Sequence, residues 1–195
     1  MFINWARREL NLKIVYYGPP MSGKTTNLVQ IHGHTTPQHR GELISLNTAD
    51  DRTLYFDFLR LDLNKIGGLT PRLHLYTVPG QATYEASRKL VLRGADGVVF
   101  VADSEANRLQ INLEAWETMR MHLVSLSLRP ESTPTVVQFN KQDLPTAIPG
   151  HALRQLMEIN GYPTFEAVAL QGQGVFDTLK AIIHGVVTNM QQQMG

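Results

Sequence analysis

Cysteine is absent from this chain of 195 residues, and so are long apolar runs. A chain without cysteine forms no disulfide framework and no thiolate metal site, which is typical of proteins in a reducing compartment. No segment approaches the roughly 20 apolar residues that a transmembrane helix needs. Residues 1–10 also lack the apolar core of a secretory signal. We therefore expect a cytoplasmic protein.

An excess of either charge is absent too, since 18 Lys and Arg residues balance 17 Asp and Glu residues and leave a formal net charge of +1. This balance gives no global field that would attract nucleic acid or an anionic membrane. Residue 2 is Phe rather than the Gly that N-myristoylation requires, and a chain without cysteine cannot be prenylated or palmitoylated. We expect no nucleic-acid partner and no intrinsic membrane anchor, so a partner would have to bring the chain to a membrane.

What the sequence does contain is a regular alternation of strand-like and helix-like segments. Its length of 195 residues and 43% hydrophobic composition predict one domain over residues 1–195. Strands are predicted at 10–17, 54–61, 72–78, 97–102, 135–139 and 164–169, and helices at 24–32, 85–93, 108–126, 151–159 and 175–192. This order predicts an α/β fold with a doubly wound, mostly parallel six-stranded sheet, helices on both faces and one antiparallel hairpin edge formed by 54–61 and 72–78.

Three local features carry further expectations. Gly33 is expected to end the first helix and to begin a polar loop that reaches about residue 51, and a loop of that length is usually functional. Trp116 begins a stripe of apolar residues at helical spacing, which predicts a core-facing side of its helix. The basic stretch of Arg88, Lys89 and Arg93 is expected to form a solvated helix face, with a partner-binding surface as the alternative.

Residues 18–25 match the phosphate-binding P-loop pattern, with a predicted strand before them and a predicted helix after them. The backbone N–H groups of such a loop and the positive end of the helix dipole bind phosphate oxygens. Lys24 would neutralise the charges of the β- and γ-phosphates, and Thr25 would offer its hydroxyl to Mg²⁺. The candidate phosphate-binding residues are Gly18, Ser22, Gly23, Lys24 and Thr25.

A P-loop alone is compatible with ATPases, kinases and GTPases, and the segment Asn140-Lys141-Gln142-Asp143 distinguishes among them. It follows a predicted parallel strand, at the edge where open α/β sheets bind ligands. The Asp143 carboxylate can accept hydrogen bonds from guanine N1–H and from its exocyclic amine. Adenine would leave this acceptor unpaired, at a cost of about 1 to 3 kcal/mol. GTP and GDP are therefore the expected nucleotides, and an ATP-dependent P-loop kinase is the alternative.

With these motifs the chain resembles the bacterial Ras-like small GTPases of the mutual gliding protein A (MglA) type. The resemblance extends over nearly the whole chain and includes residues 17–19, 22–28, 52–54, 76–81, 87–89, 101–104 and 140–143. It implies the P-loop small GTPase fold, with one G domain that binds GTP with Mg²⁺ and hydrolyses it to GDP and phosphate. It also adds Thr26 to the nucleotide-binding residues.

The resemblance implies roles for residues outside the P-loop. Thr53 would contact Mg²⁺ and the γ-phosphate, while Gly80 and Gln81 would supply the second-switch glycine and the glutamine that positions water. Asn140, Lys141 and Asp143 would read guanine, and the backbone N–H of Ala169 would donate to the guanine oxygen. Arg52 resembles the intrinsic arginine finger of this branch, so Arg52, Gln81 and Lys24 are the candidate catalytic residues.

Two departures from most Ras relatives affect this assignment. Thr77 stands where those relatives have an aspartate that holds a magnesium-bound water, although threonine is expected in the MglA branch. Another carboxylate would then hold that water, and Asp57 is the candidate. Pro20 stands where many relatives have a glycine over which a partner's arginine finger passes. Its ring would crowd such a finger, which favours Arg52 acting within the chain.

The resemblance also implies a biological setting. The output would be control of cell polarity or gliding motility, with recruitment to the cell pole or membrane by partners. A Roadblock-type protein would serve as GTPase activator or exchange regulator, and downstream effectors would recognise the GTP form. A non-motility signalling GTPase of the same fold is the alternative.

Overall fold

The computed structural model describes residues 2–46, 56–63, 68–80 and 84–194. The strands are β1 (Phe2–Asn4), β2 (Glu9–Tyr17), β3 (Ile44–Leu46), β4 (Phe56–Asp62), β5 (Thr70–Thr77), β6 (Gly97–Asp103), β7 (Thr135–Asn140) and β8 (Thr164–Ala167). The α-helices are α1 (Lys24–His34), α2 (Glu85–Leu92), α3 (Leu109–Ser125), α4 (Gly150–Leu156) and α5 (Val175–Met194). Each predicted strand and helix therefore has a counterpart in the structure.

All the strands belong to one sheet, in the order β3-β4-β5-β2-β6-β7-β8, with β1 paired to β2. Strands β5, β2, β6, β7 and β8 run parallel. Strand β4 pairs antiparallel with β5, and β3 pairs antiparallel with β4. The predicted mostly parallel α/β sheet with an antiparallel edge is confirmed. The carboxyl ends of the parallel strands lie at one edge, where the loops that carry the sequence motifs meet.

The sheet is covered by helices on both faces because its central strands are apolar on both sides. Leu12, Ile14 and Tyr16 of β2 pack into the core that α1 and α5 cover. Val15 and Tyr17 pack into the core on the opposite face, with α2, α3 and α4. The stripe that begins at Trp116 is buried there, as predicted. No helix within residues 2–46, 56–63, 68–80 and 84–194 is long and apolar enough to span a membrane.

The sheet is larger than the predicted six strands, because β1 and β3 add two short strands to it. Each has only three residues, which is too short for an apolar pattern to be recognised. Strand β1 exists because residues 2–4 pair with residues 9–11 of β2. Strand β3 lies in the stretch that was expected to be a polar loop, and it pairs with β4.

The ends of α1 and α4 differ from the sequence prediction. Helix α1 continues through Gly33 to His34, and the backbone becomes extended at Thr35 and Thr36, immediately before Pro37. A residue that precedes proline is disfavoured in the helical region, so the proline rather than the glycine marks this end. Helix α4 ends at Leu156, before the predicted residue 159, and Glu158 has a positive φ of 52°.

Candidate functional site

The P-loop joins β2 to α1 and wraps around the side chain of Lys24. The ammonium Nζ of Lys24 donates hydrogen bonds to the carbonyl oxygens of Pro19 at 2.7 Å and Gly18 at 3.1 Å. The pKa of Lys24 is lowered to about 7, mainly by burial and also by the charge of Arg88, while the charge of Asp57 opposes both effects. Phosphate oxygens placed beside this ammonium would favour its charged form.

Two glycines, Gly23 and Gly80, allow neighbouring segments of the site to pack closely against each other. Gly23 has a φ of +102°, and a Cβ there would lie 2.2 Å from the Asn140 side-chain nitrogen. A Cβ on Gly80, which follows β5, would lie 2.3 Å from the Cα of Pro20. The P-loop is therefore in close contact with both the loop after β5 and the end of β7, and neither glycine can be replaced without moving a neighbour.

Asp57 lies on β4 and faces the start of α1. Its carboxylate accepts hydrogen bonds from the hydroxyls of Thr25 at 2.6 Å, Thr77 at 2.9 Å and Ser45 at 2.7 Å. The backbone N–H of Asp57 also donates to the Thr77 hydroxyl at 2.8 Å. The sequence indicates Asp57 as the candidate to hold a magnesium-bound water and Thr25 as a magnesium ligand, and in the structure their side-chain oxygens lie 2.6 Å apart.

This cluster fits a magnesium ion chemically, because its side chains present hard oxygen atoms and one carboxylate charge. Asp57 is only 8% exposed, so its charge acts within the site rather than in bulk water. The same cluster opens into a cleft of about 500 Å³ that Lys24, Thr25 and Gly80 also line. The geometry is suited to hold a divalent cation beside the phosphate-binding loop.

The guanine motif is tied directly to the P-loop. The Asn140 side-chain amide donates from Nδ2 to the Ser22 carbonyl at 2.8 Å, and its Oδ1 accepts the backbone N–H of Ala169 at 2.8 Å. Asn140 is buried, whereas Asp143 is exposed at the same edge. The structure thus brings the P-loop, the Asn140 motif and the Ala169 loop together. The assignment of the Ala169 N–H to a guanine oxygen stays a prediction, since here that N–H is donated to Asn140.

Asp103 and Arg108 are neighbours of this site that the sequence reasoning missed. The Asp103 carboxylate ends β6 and accepts a 2.6 Å hydrogen bond from Lys141 Nζ, and Arg108 Nε lies 3.7 Å from the same oxygen. Arg108 also donates to the Pro20 carbonyl at 2.9 Å. A usable signal was present for Asp103, because it is a carboxylate at the end of a buried parallel strand. No comparable signal marked Arg108.

Three candidate residues, Arg52, Thr53 and Gln81, lie outside the described residues, so their roles stay predictions. Thr26 lies in the first turn of α1, directly after Thr25. The interpretation of Arg88 as part of a solvated face is wrong, because this residue of α2 is only 7% exposed. Its positive charge also lowers the pKa of Lys24.

A P-loop and a guanine-type motif joined at the carboxyl edge of a doubly wound sheet define the class of protein, a small GTPase that hydrolyses GTP. No protein-family model matches the chain. Over 191 residues the chain is 50% identical to the mutual gliding-motility protein MglA of Myxococcus xanthus, covering 98% of each protein. The chain belongs to the MglA family of bacterial Ras-like small GTPases.

More distant relatives are eukaryotic small GTPases. Human ADP-ribosylation factor-like protein 4C is 28% identical over 172 residues, which cover 85% of this chain and 81% of that protein. The Ras-related protein Rab-5B of Plasmodium falciparum is 24% identical over 170 residues, which cover 86% of this chain and 74% of that protein. These similarities agree with the fold and with the GTPase class.

Proposed function

We propose that this small GTPase is a switch that controls cell polarity or gliding motility. The name of the Myxococcus relative, which shares half of its residues with the chain, supports a role in gliding motility. The observation that carries the nucleotide part of the proposal is the 2.8 Å hydrogen bond from Asn140 to the Ser22 carbonyl. This bond supports the proposal because it joins the base-reading motif to the phosphate-binding loop, the two parts of the site that one nucleotide would have to contact.

We assign the roles of the site residues from the family resemblance, and for the described residues their positions support the assignment. The P-loop N–H groups and the Lys24 ammonium bind and orient the phosphates, and Asp143 accepts the guanine N–H donors. Thr25 and Thr53 would hold Mg²⁺ directly, with Asp57 accepting hydrogen bonds from one of its waters. When bound, Mg²⁺ supplies positive charge that neutralises the phosphates during transfer. Thr77 orients Asp57 through the 2.9 Å hydrogen bond between them, and so replaces the usual aspartate indirectly.

Hydrolysis is assigned to Arg52 and Gln81 acting as one unit. The positive charge of Arg52 would meet the charge that develops on the transferred phosphoryl group, and Gln81 would orient the attacking water. The Pro20 backbone packs closely against Gly80, and the proline ring stands on the side of the P-loop that a partner's arginine finger would have to cross. An arginine within the chain avoids that obstruction.

The partner in this proposal is a Roadblock-type protein that activates hydrolysis or regulates exchange by holding the loops around Arg52 and Gln81. Effectors would recognise the ordered GTP form, and hydrolysis would release it. Such partners would recruit the protein to the cell pole or membrane from the cytoplasm.

The experiment is single-turnover GTP hydrolysis with and without a Roadblock-type protein. Arg52→Ala should lower the activated hydrolysis rate by a factor of about 10³ to 10⁵ and should retain GTP binding. Gln81→Leu should behave similarly, and the double variant should lose little more, because residues that act as a unit are non-additive. Arg120→Ala, an exposed arginine on α3, is the control and should be activated normally. Full activation of Arg52→Ala would mean that the catalytic arginine comes from elsewhere. In a separate competition measurement, ATP that displaced bound GTP as well as GTP itself does would contradict the base assignment.

A further inference from the structure

Arg108 contacts the phosphate-binding loop although it lies on a different element. It ends a short 3₁₀ turn (Ala106–Arg108) and caps the start of α3. Its Nη2 donates to the Pro20 carbonyl at 2.9 Å, a charge-assisted hydrogen bond to the loop. The Arg108 side chain is 28% exposed, so this contact is largely sheltered from solvent.

The carbonyl that Arg108 holds belongs to the central peptide of a tight turn. The backbone N–H of Ser22 donates to the Pro19 carbonyl at 3.4 Å, which closes a four-residue turn. Pro20 occupies the second position of this turn, where its ring keeps φ near −65°. Met21 occupies the third position and has a φ of +63°. A negative φ followed by a positive φ defines a type II turn.

A type II turn is unfavourable for this sequence. Its third position requires the left-handed region, where glycine is preferred and a side chain such as that of Met21 is strained. A type I turn also accepts proline at the second position and would give Met21 an ordinary negative φ. The two turn types differ mainly by a half-turn of the peptide plane between Pro20 and Met21, and the structure holds the strained alternative.

The carbonyl and the N–H of a trans peptide point in opposite directions. When Arg108 holds the Pro20 carbonyl on its own side, the Met21 N–H is directed to the other side of the loop. A flip to type I would reverse both groups, so that the N–H faced Arg108 and the carbonyl faced the phosphates. In the type II orientation the peptide offers the Met21 N–H donor to an anion. In the type I orientation it offers the Pro20 carbonyl oxygen, which would repel the anion.

We propose that Arg108 is a positioning residue that locks this peptide in the type II orientation, so that the Met21 N–H faces the nucleotide phosphates. The contact offsets the strain at Met21 and links the start of α3 to the P-loop. Gly80 supports the turn from another side, since its Cα approaches the Pro20 backbone too closely to accommodate a Cβ. This inference rests on the proposed nucleotide-binding role of the P-loop.

The test measures how fast a fluorescent GDP analogue dissociates from purified variants. Arg108→Ala should release the analogue about tenfold faster than the wild type, the loss expected for one hydrogen bond to a charged group. Met21→Gly provides a second background in which the same Arg108→Ala change is measured, because glycine adopts a positive φ without strain. The double variant should recover to within about threefold of wild type, because glycine makes the type II turn favourable without Arg108. Arg120→Ala is the matched control and should leave dissociation unchanged.

Two results would overturn the proposal. Dissociation from Arg108→Ala at the wild-type rate would show that the contact does not matter for nucleotide binding. An equal loss in the Met21→Gly background would show that Arg108 acts elsewhere, through Asp103 and its hydrogen bond to Lys141. If Arg108→Ala does not fold, Arg108→Met keeps an apolar stem of similar length but removes every donor, and the same loss and rescue are expected. A wild-type protein that bound no guanine nucleotide would refute the proposed function itself.

Discussion

At the scale of single residues, the position of one carboxylate on β4 shapes the candidate magnesium site. Asp57 accepts hydrogen bonds from Thr25, Ser45 and Thr77, which come from three separate parts of the chain. Most Ras relatives have an aspartate at the position of Thr77, whereas this chain has a carboxylate, Asp57, on the neighbouring strand. The pairing of β4 with β5 places the two side chains next to each other.

Replacing Asp57 with Asn should weaken the magnesium dependence of GTP binding without abolishing binding. The amide keeps the size of the side chain but removes the charge that would accept hydrogen bonds from metal-bound water. Asp62→Asn, at the far end of β4, is the matched control. The measurement is GTP affinity across a magnesium titration, and identical curves for the two variants would remove Asp57 from the metal site.

Asp143 should determine which base is bound. Asp143→Asn should lower GTP affinity by about tenfold or more, because the paired guanine donors lose their carboxylate acceptor. Xanthosine triphosphate should gain relative affinity, since its oxygen replaces the guanine amine. Competition between the two nucleotides measures this change, and GTP affinity equal to that of the wild type would show that Asp143 does not read the base.

At the scale of elements, α2 is docked on the rest of the domain through a buried histidine on α3. His122 lies 3.2 Å from the Tyr17 hydroxyl of β2 and 3.4 Å from a Glu85 oxygen of α2. Burial lowers the pKa of His122, and its hydrogen bond to Glu85 opposes this shift, while Arg88 and Lys89 lower the pKa further. The folded protein therefore favours the neutral imidazole.

Acid should consequently destabilise this contact. In the folded protein the pKa of His122 lies below the value of 6.5 for the unfolded chain. At pH values between these two pKa values the unfolded state therefore binds more protons than the folded state. The contribution of His122 to stability is present above pH 6.5 and is lost as the pH falls below it. In His122→Gln the decrease in melting temperature from about pH 7.5 to 5 should be smaller than in the wild type. The exposed His184→Gln is the control, and equal pH slopes in all three proteins would contradict this role.

At the scale of the whole molecule, the two apolar faces of one sheet hold the site residues in place. Phe100 is fully buried in β6, and its ring meets that of Trp116 edge-on with centroids 5.0 Å apart. The loops of the site leave the ends of β2, β5, β6, β7 and β8, so any loss of sheet packing would also loosen the site.

The domain is expected to unfold as one cooperative unit. Phe100→Ala should lower the free energy of unfolding by about 3 to 5 kcal/mol, because it leaves a cavity in the core. Phe2→Ala, at a side chain that is 65% exposed, should change it by less than about 0.5 kcal/mol. Urea denaturation followed by fluorescence and circular dichroism tests both values. Two separate transitions would contradict the single domain.

The sequence by itself determined the order of strands and helices, the P-loop and the guanine motif. These features depend on local patterns: residues that alternate along a strand, a helix period, or a motif of fixed spacing between a strand and a helix. The same reasoning failed for β1 and β3, because three-residue strands exist only through pairing with a neighbour. It also failed at Gly33, because the end of α1 is determined by Pro37, four positions further along the chain.

Only the tertiary structure decided which side chains meet. The Arg108 contact with Pro20 joins residues 88 positions apart, and the hydrogen bond from Lys141 to Asp103 spans 38 positions. Arg88 looked like a surface residue in the sequence and is buried, because it lies on the side of α2 that packs Val91 and Leu92 into the core. Such contacts depend on strand register and on the packing of helices against the sheet. No local pattern records either of these, because both arise from interactions between distant parts of the chain.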